Sequence, residues 1–192
     1  MEAVVEAARL AFAAHGFDRT SMDEIAAASG VSKMTVYNYF PTKEALYSAT
    51  VVSSLDRGLA ADALAKLDPQ DPAASLTQLG LAIVRLMRQD DVLGCHRAVI
   101  GSASQYLDLA AQFYAVGPAR IVADVATFLQ AAKAAGSLDL PHVQQAADQF
   151  ASLFCNLDHW RSVLGMPKPS DRQDRALVKS NVDFFMRAYG GR

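Results

Sequence analysis

Cysteine is almost missing from these 192 residues: Cys95 and Cys155 are the only two. That is too few for a disulfide framework and fits a reducing, cytoplasmic setting. No apolar run approaches the roughly 18 residues that a membrane-spanning helix needs, so no membrane partner is expected. No charged segment followed by an apolar stretch opens the chain, so secretion is not expected either. A glycine-rich phosphate loop is absent, and no serine sits in a G-x-S-x-G elbow. The histidines, His15, His96, His142 and His159, show no i, i+4 pairing with one another or with cysteine. Neither a metal site, nor a catalytic residue, nor a cofactor is expected. Cationic surplus is lacking as well. The net charge is −2, and the first 50 residues carry Arg9, Arg19, Lys33 and Lys43 against six acids. What is plentiful is apolar side chain, at 52% of residues, enough for a proper core.

The stretch TSMDEIAAASGVSKMTVYNYFPTKEAL at 20–46 organises the rest. Ser21 and Glu24 form an S-x-x-E capping pattern that satisfies free N–H groups at a helix start. Ile25 and Ala26 face inward, Ala26 being small enough to admit a crossing helix. Gly30 can take the left-handed conformation that ends this helix. Ser32 caps the next helix, with Val36, Tyr39 and Phe40 on its inner face. Pro41 stops it, and Thr42 caps a new helix beginning at Lys43. Alanine, glycine four later, and a branched apolar residue six after that have the spacing of a helix-turn-helix. A solvated helix face is the alternative for Thr35, Tyr37, Asn38 and Tyr39, but two exposed tyrosines argue for a partner. The charge balance speaks against DNA, since phosphate affinity usually comes from lysine and arginine. Helix N-termini and hydroxyls also bind phosphate, so the spacing outweighs it.

Ahead of this motif a first helix covers 2–15, with Val4, Ala8, Ala11 and Phe12 on one face. Gly16 ends it and Phe17 folds back on the core. The expected fold is all-α: a three-helix helix-turn-helix domain at 1–47 and a helical ligand-binding and dimerisation domain at 48–192. A long helix over 42–67 connects them, broken by the two prolines of DPQDP at 68–72. Helices are expected over 73–89, 92–104, 106–116, 118–135, 142–165 and 171–189. In 142–165, Val143, Ala147, Phe150 and Phe154 make one stripe and Leu153, Leu157, Trp160 and Leu164 another. In 171–189, Val178, Val182, Phe185 and Tyr189 align, with Leu177 and Phe184 beside them. Helices apolar on more than one face need burial on more than one side. A large monomeric core would provide it. A homodimer would as well, and a helix-turn-helix protein needs two copies to grip a palindromic site. The dimer contacts are expected at Phe150, Leu153, Leu157, Val178, Val182, Phe185 and Tyr189.

Residues 4–47, which include AARLAFAAHGFDRTSMDEIAAASGVSKMTVYNYFPTKEALY, resemble the DNA-binding domain of the TetR family of transcriptional regulators. AAQFYAVGPARIVADVATFLQAAKAAGSL resembles the C-terminal domain of the family's AefR-like subset. The resemblance implies a homodimer bound to double-stranded, palindromic operator DNA. It also implies a repressor, released when an unidentified small-molecule effector enters the C-terminal domain. Carried over by position, phosphate contacts fall on Thr20, Thr35, Tyr37, Tyr39 and Lys43. Base reading falls on Lys33, Met34 and Asn38, and Ser21 joins the DNA-facing set. Two departures stand out. Met34 replaces the small residue of many relatives, which suits apolar contact to a thymine methyl. The chain opens MEA where many relatives carry a basic arm.

A pocket for the effector is outlined by Met87, Cys95, His96, Tyr106, Phe113, Phe128, Phe154, Asn156, His159 and Trp160, all equally suited to a core. Many aromatics and few charges suit a largely apolar ligand with one or two polar anchors. Cys95, beside His96 and Arg97, is either a reactive thiolate or an inert buried thiol. A ligand-binding helical protein or an enzyme with a fused helix-turn-helix is the rival class, and nothing in 73–192 supports the enzyme.

Overall fold

The computed structural model describes residues 1–59 and 64–191. It contains α1 (Glu2–His15), α2 (Met22–Ser29), α3 (Lys33–Tyr39), α4 (Lys43–Gly58), α5 (Pro72–Met87) and α6 (Asp90–Ser102). These are followed by α7 (Leu107–Val116), α8 (Pro118–Ala134), α9 (Val143–Ser152), α10 (Leu157–Val163) and α11 (Asp171–Tyr189). Among the described residues the only extended pairing is a single antiparallel bridge, Leu138 to Gly190. No helix among them is long and apolar enough to cross a membrane. The chain divides into two compact units, one of Met1–Leu55 with Gln89–Pro118, the other of Asp56–Arg88 with Ala119–Arg192.

In the first unit the helix-turn-helix does not stand by itself. Three short helices of about 45 residues leave too much apolar surface in water, and α6 and α7 join them. Val4, Ala8 and Phe12 of α1 are buried, and α1 packs on α6. Phe12, Phe17 and Tyr47 form an aromatic cluster with ring centroids 5.1–5.8 Å apart. The Tyr47 hydroxyl donates to the Cys95 carbonyl at 3.0 Å, joining α4 to α6. Gly94 allows the helices to meet: a Cβ there would lie 2.8 Å from Ala13 Cα. Beside this contact Arg9 pairs with Asp91 at 2.7 Å, both largely buried, and also with Glu6.

The second unit is built on α5 against α11, where Leu76, Leu79 and Ile83 and then Val178, Val182 and Phe185 are buried. Gly80 admits Phe154 and Val178, each within about 3.0 Å of where its Cβ would stand. Phe150 meets Phe154 and Phe185 edge-on at 5.3 and 5.2 Å. Arg88, at the end of α5, pairs with Asp174 of α11 at 3.2 Å.

Three expectations need correction. The helix expected over 142–165 is two, because the chain turns at 153–156 and Asn156 caps α10 by accepting from the His159 N–H at 3.0 Å. The stripe Leu153, Leu157, Trp160, Leu164 therefore spans two elements, and Leu157 is 81% exposed. The helix expected over 42–67 ends at Gly58, which packs so closely on Leu86 that a Cβ would lie 2.8 Å from it. Part of the remainder, 60–63, lies outside the described residues. Tyr39, placed on the inner face of α3, points outward; Val36 and Phe40, four apart, do the packing.

The α1–α6 contact generates a stability test. Gly94→Ala should destabilise the protein by about 1–3 kcal/mol through overpacking, read as a lower denaturant midpoint at unchanged m. Gly101→Ala in the same helix, with nothing within 4 Å of the added Cβ, should instead stabilise by up to about 1 kcal/mol from helix propensity. Equal effects of the two would contradict the packing account.

Candidate nucleic-acid interface

The sequence holds α2 and α3 in place through local chemistry. Ser21 Oγ accepts from the Glu24 N–H at 3.2 Å, and the Glu24 carboxylate accepts from the Ser21 N–H at 2.9 Å. This capping box holds the Glu24 carboxyl below its usual range. Gly30 takes φ 68 and ψ 15, the left-handed conformation that closes α2. Ser32 Oγ then accepts from the Thr35 N–H at 3.2 Å to start α3. With Val36 fully buried, helical spacing turns Met34, Tyr37 and Asn38 away from the core. Met34 is 76%, Tyr37 46% and Tyr39 56% exposed. The expected reading residues thus share one solvent-facing surface with Lys33.

Other expected DNA contacts are occupied within the fold. Thr20 is 2% exposed, and its hydroxyl donates to the Gly16 carbonyl at 2.8 Å. Ser21 is engaged in the capping box. Thr35 Oγ1 lies 2.8 Å from Ser32 Oγ. Lys33 pairs with Asp23 at 2.6 Å, both side chains more than half exposed. An exposed pair of this kind contributes about 0–1 kcal/mol, so Lys33 can exchange Asp23 for DNA at little cost. Lys43 Nζ donates to the Phe17 and Thr20 carbonyls at 2.8 and 3.1 Å. The pairings of Lys33 with Asp23 and of Lys43 with the Phe17 carbonyl escaped the sequence reading, because the partners lie 10 and 26 residues apart and no local periodicity announces such pairs.

The pocket candidates divide between the units. Cys95, His96, Tyr106 and Phe113 belong to the first, and Met87, Phe128, Phe154, Asn156, His159 and Trp160 to the second. In the first, His96 stands edge-on to Phe113 at 5.4 Å. Burial pushes the Cys95 thiol up to about 11, which keeps it protonated at neutral pH; this is the inert alternative. In the second, Met87, Phe128, Phe154 and His159 are buried, while Trp160 is half exposed. Burial, and then Arg88, push the His159 imidazole down. Among the described residues no group of three His, Cys, Asp or Glu could hold a metal ion.

Of the expected dimer contacts, Phe150, Val178, Val182 and Phe185 lie in the core of the second unit, because α11 turns that stripe toward α5 and α9. Leu157 is exposed, and Leu153 and Tyr189 are partly so. Leu153 and Tyr189 line a surface groove of about 480 Å³, together with Gln149, Ser152, Phe184, Phe185 and Ala188.

Residues 4–50 match the model of bacterial regulatory proteins of the tetR family, and residues 74–191 that of the C-terminal domain of AefR-like transcriptional repressors. Over 59 residues the chain is 44% identical to the HTH-type transcriptional regulator RutR of Escherichia coli strain K12. That match covers 31% of this chain and 28% of the relative's length. The solved structure of the flavonoid-responsive regulator FrrA is similar at 29% identity with a TM-score of 0.75, covering 100% of this chain and 97% of that one. A TetR-family transcriptional regulator from Mesorhizobium loti superposes with a TM-score of 0.85 over 98% of this chain and 96% of that one. Its identity is 24%, and that likeness is one of fold.

Each of the four cations in residues 1–50 has a partner within the fold, and only Lys33 and Arg19 hold theirs at exposed positions. Binding to duplex DNA should therefore depend weakly on salt. With about 0.9 counterions released per phosphate neutralised, the slope of log K against log[salt] should be no steeper than about −2 per protomer. Titrations between low and moderate salt measure it. A slope beyond about −4 per protomer would show that cations elsewhere carry the contact.

Proposed function

The chain belongs to the TetR family of bacterial regulatory proteins, and from that premise we propose that it is a DNA-binding transcriptional repressor acting in the cytoplasm. The observation that carries this reading is the α3 surface, where Met34, Tyr37 and Asn38 project together, with Tyr39 exposed on the adjoining side, from a helix fixed by Val36, Gly30 and Ser32. In the major groove Asn38 suits a bidentate contact to adenine and Met34 an apolar contact to a thymine methyl. The Tyr37 and Tyr39 hydroxyls supply phosphate contacts that require no added charge.

Two copies would grip a palindrome through α3 helices spaced one helical turn apart, about 34–36 Å, or a multiple of it. The exposed Leu157 and Trp160 of α10, and the groove that Phe184 of α11 lines with Leu153 and Tyr189, support a two-fold interface built on these helices. Such an interface commonly buries about 2,000 Å² or more in total. The effector is a small, largely apolar molecule. FrrA is described as flavonoid-responsive, which supports an aromatic ligand with a few polar anchors. The second unit's Phe128, Phe154, Asn156, His159 and Trp160 offer that chemistry. Release from DNA then follows if the effector favours a state in which the two recognition helices no longer match the grooves.

Selection from a random duplex library should enrich a two-fold symmetric site, and Asn38→Ala should alter the preferred base at one position in each half-site. Enrichment of no symmetric site would refute the reading. Sedimentation at micromolar concentration should show a dimer that Phe184→Glu converts to a folded monomer. A dimer unaffected by that change would place the interface elsewhere.

A further inference from the structure

Lys43 occupies the first position of α4, where partial positive charge gathers and an acidic side chain is the favoured occupant. Its side chain turns back over the loop between α1 and α2. The ammonium donates to the Phe17 carbonyl at 2.8 Å and the Thr20 carbonyl at 3.1 Å, and stands 4.3 Å from the centroid of the Phe17 ring. An ammonium has three N–H donors. Two are committed to carbonyls, and the ring face takes up a further side of the cation.

The gripped loop sets the start of α2. Thr20 directly precedes the cap residue Ser21, and its own hydroxyl ties it to Gly16. The Phe17 ring is itself packed against Phe12 and Tyr47. One cation therefore fixes the first residue of α4 to the entry of α2, and the Gly30 turn carries that placement to α3. We propose that Lys43 is a positioning residue, holding the helix-turn-helix in its reading orientation rather than contacting a phosphate. The proposal rests on the DNA reading above.

The two roles leave different marks. A phosphate contact weakens binding to every sequence alike when it is lost, and flattens the salt slope by about 0.9. A positioning contact matters only where α3 must sit in one register on the duplex. Lys43→Met should therefore lower affinity for the enriched operator about tenfold or more and affinity for a random-sequence duplex less than about twofold, leaving the salt slope within about 0.3 of wild type. Phe17→Leu keeps the charge and removes the ring, so it should show the same pattern more weakly. It also carries the test if Lys43→Met fails to fold. Amide exchange across residues 17–21 should quicken in both variants without DNA. Equal losses on operator and random duplex with a flattened slope, or unchanged exchange in that loop, would overturn the role of Lys43 alone. Failure of the wild-type protein to enrich any operator would overturn the DNA reading and this proposal with it.

Discussion

The packing of Phe12, Phe17 and Tyr47 is the constraint on which the reading surface depends. A helix-turn-helix of this size has little interior, and burying a phenylalanine contributes about 1.5–3 kcal/mol. Edge-on ring pairs add about 0.5–1.5 kcal/mol beyond that burial. The cluster draws its three rings from α1, the following loop and α4. Tyr47 then reaches α6 through the Cys95 carbonyl. The first compact unit accordingly takes in α6 and α7, and α3 is held by a core that it does not build alone.

On this support the charge deficit ceases to be an objection to DNA binding. Arg9 is committed to Asp91 in a largely buried pair, whose disruption would leave an uncompensated charge at a cost of about 3–5 kcal/mol. It stays in the fold. The exposed pair of Lys33 with Asp23 costs little to exchange, so its lysine is available to a base or a phosphate. What remains for recognition is mostly uncharged: a thioether, an amide and two phenols. Such a surface gains more from fitting one sequence than from attracting any duplex.

Much of the first unit was legible because its instructions are local. The Ser21–Glu24 box, the left-handed Gly30 and the caps at Ser32 and Thr42 all form as the spacing predicts. The all-α class followed from the unbroken helical periodicity. Where the sequence misled, the deciding interaction was distant. Nothing near Gly94 announces Ala13, and nothing near Lys43 announces Phe17. The run 142–165 keeps its apolar period straight through the turn at 153–156, so the break before Asn156 was hidden. Val178, Val182 and Phe185 share one stripe, and a stripe cannot say whether its partner is the same chain or a second copy. The pocket was least legible, because Phe128 or Phe154 would serve a ligand and a core equally well.

The central claim is that α3 is the surface that meets DNA. Amide hydrogen exchange of the whole chain, measured free and bound to its enriched duplex, tests this most directly. The account predicts that protection on binding concentrates in α3 and in the segments flanking it, residues 20–24 and 40–44. Protection that bypasses 32–40 and appears instead on α7 or α11 would contradict it.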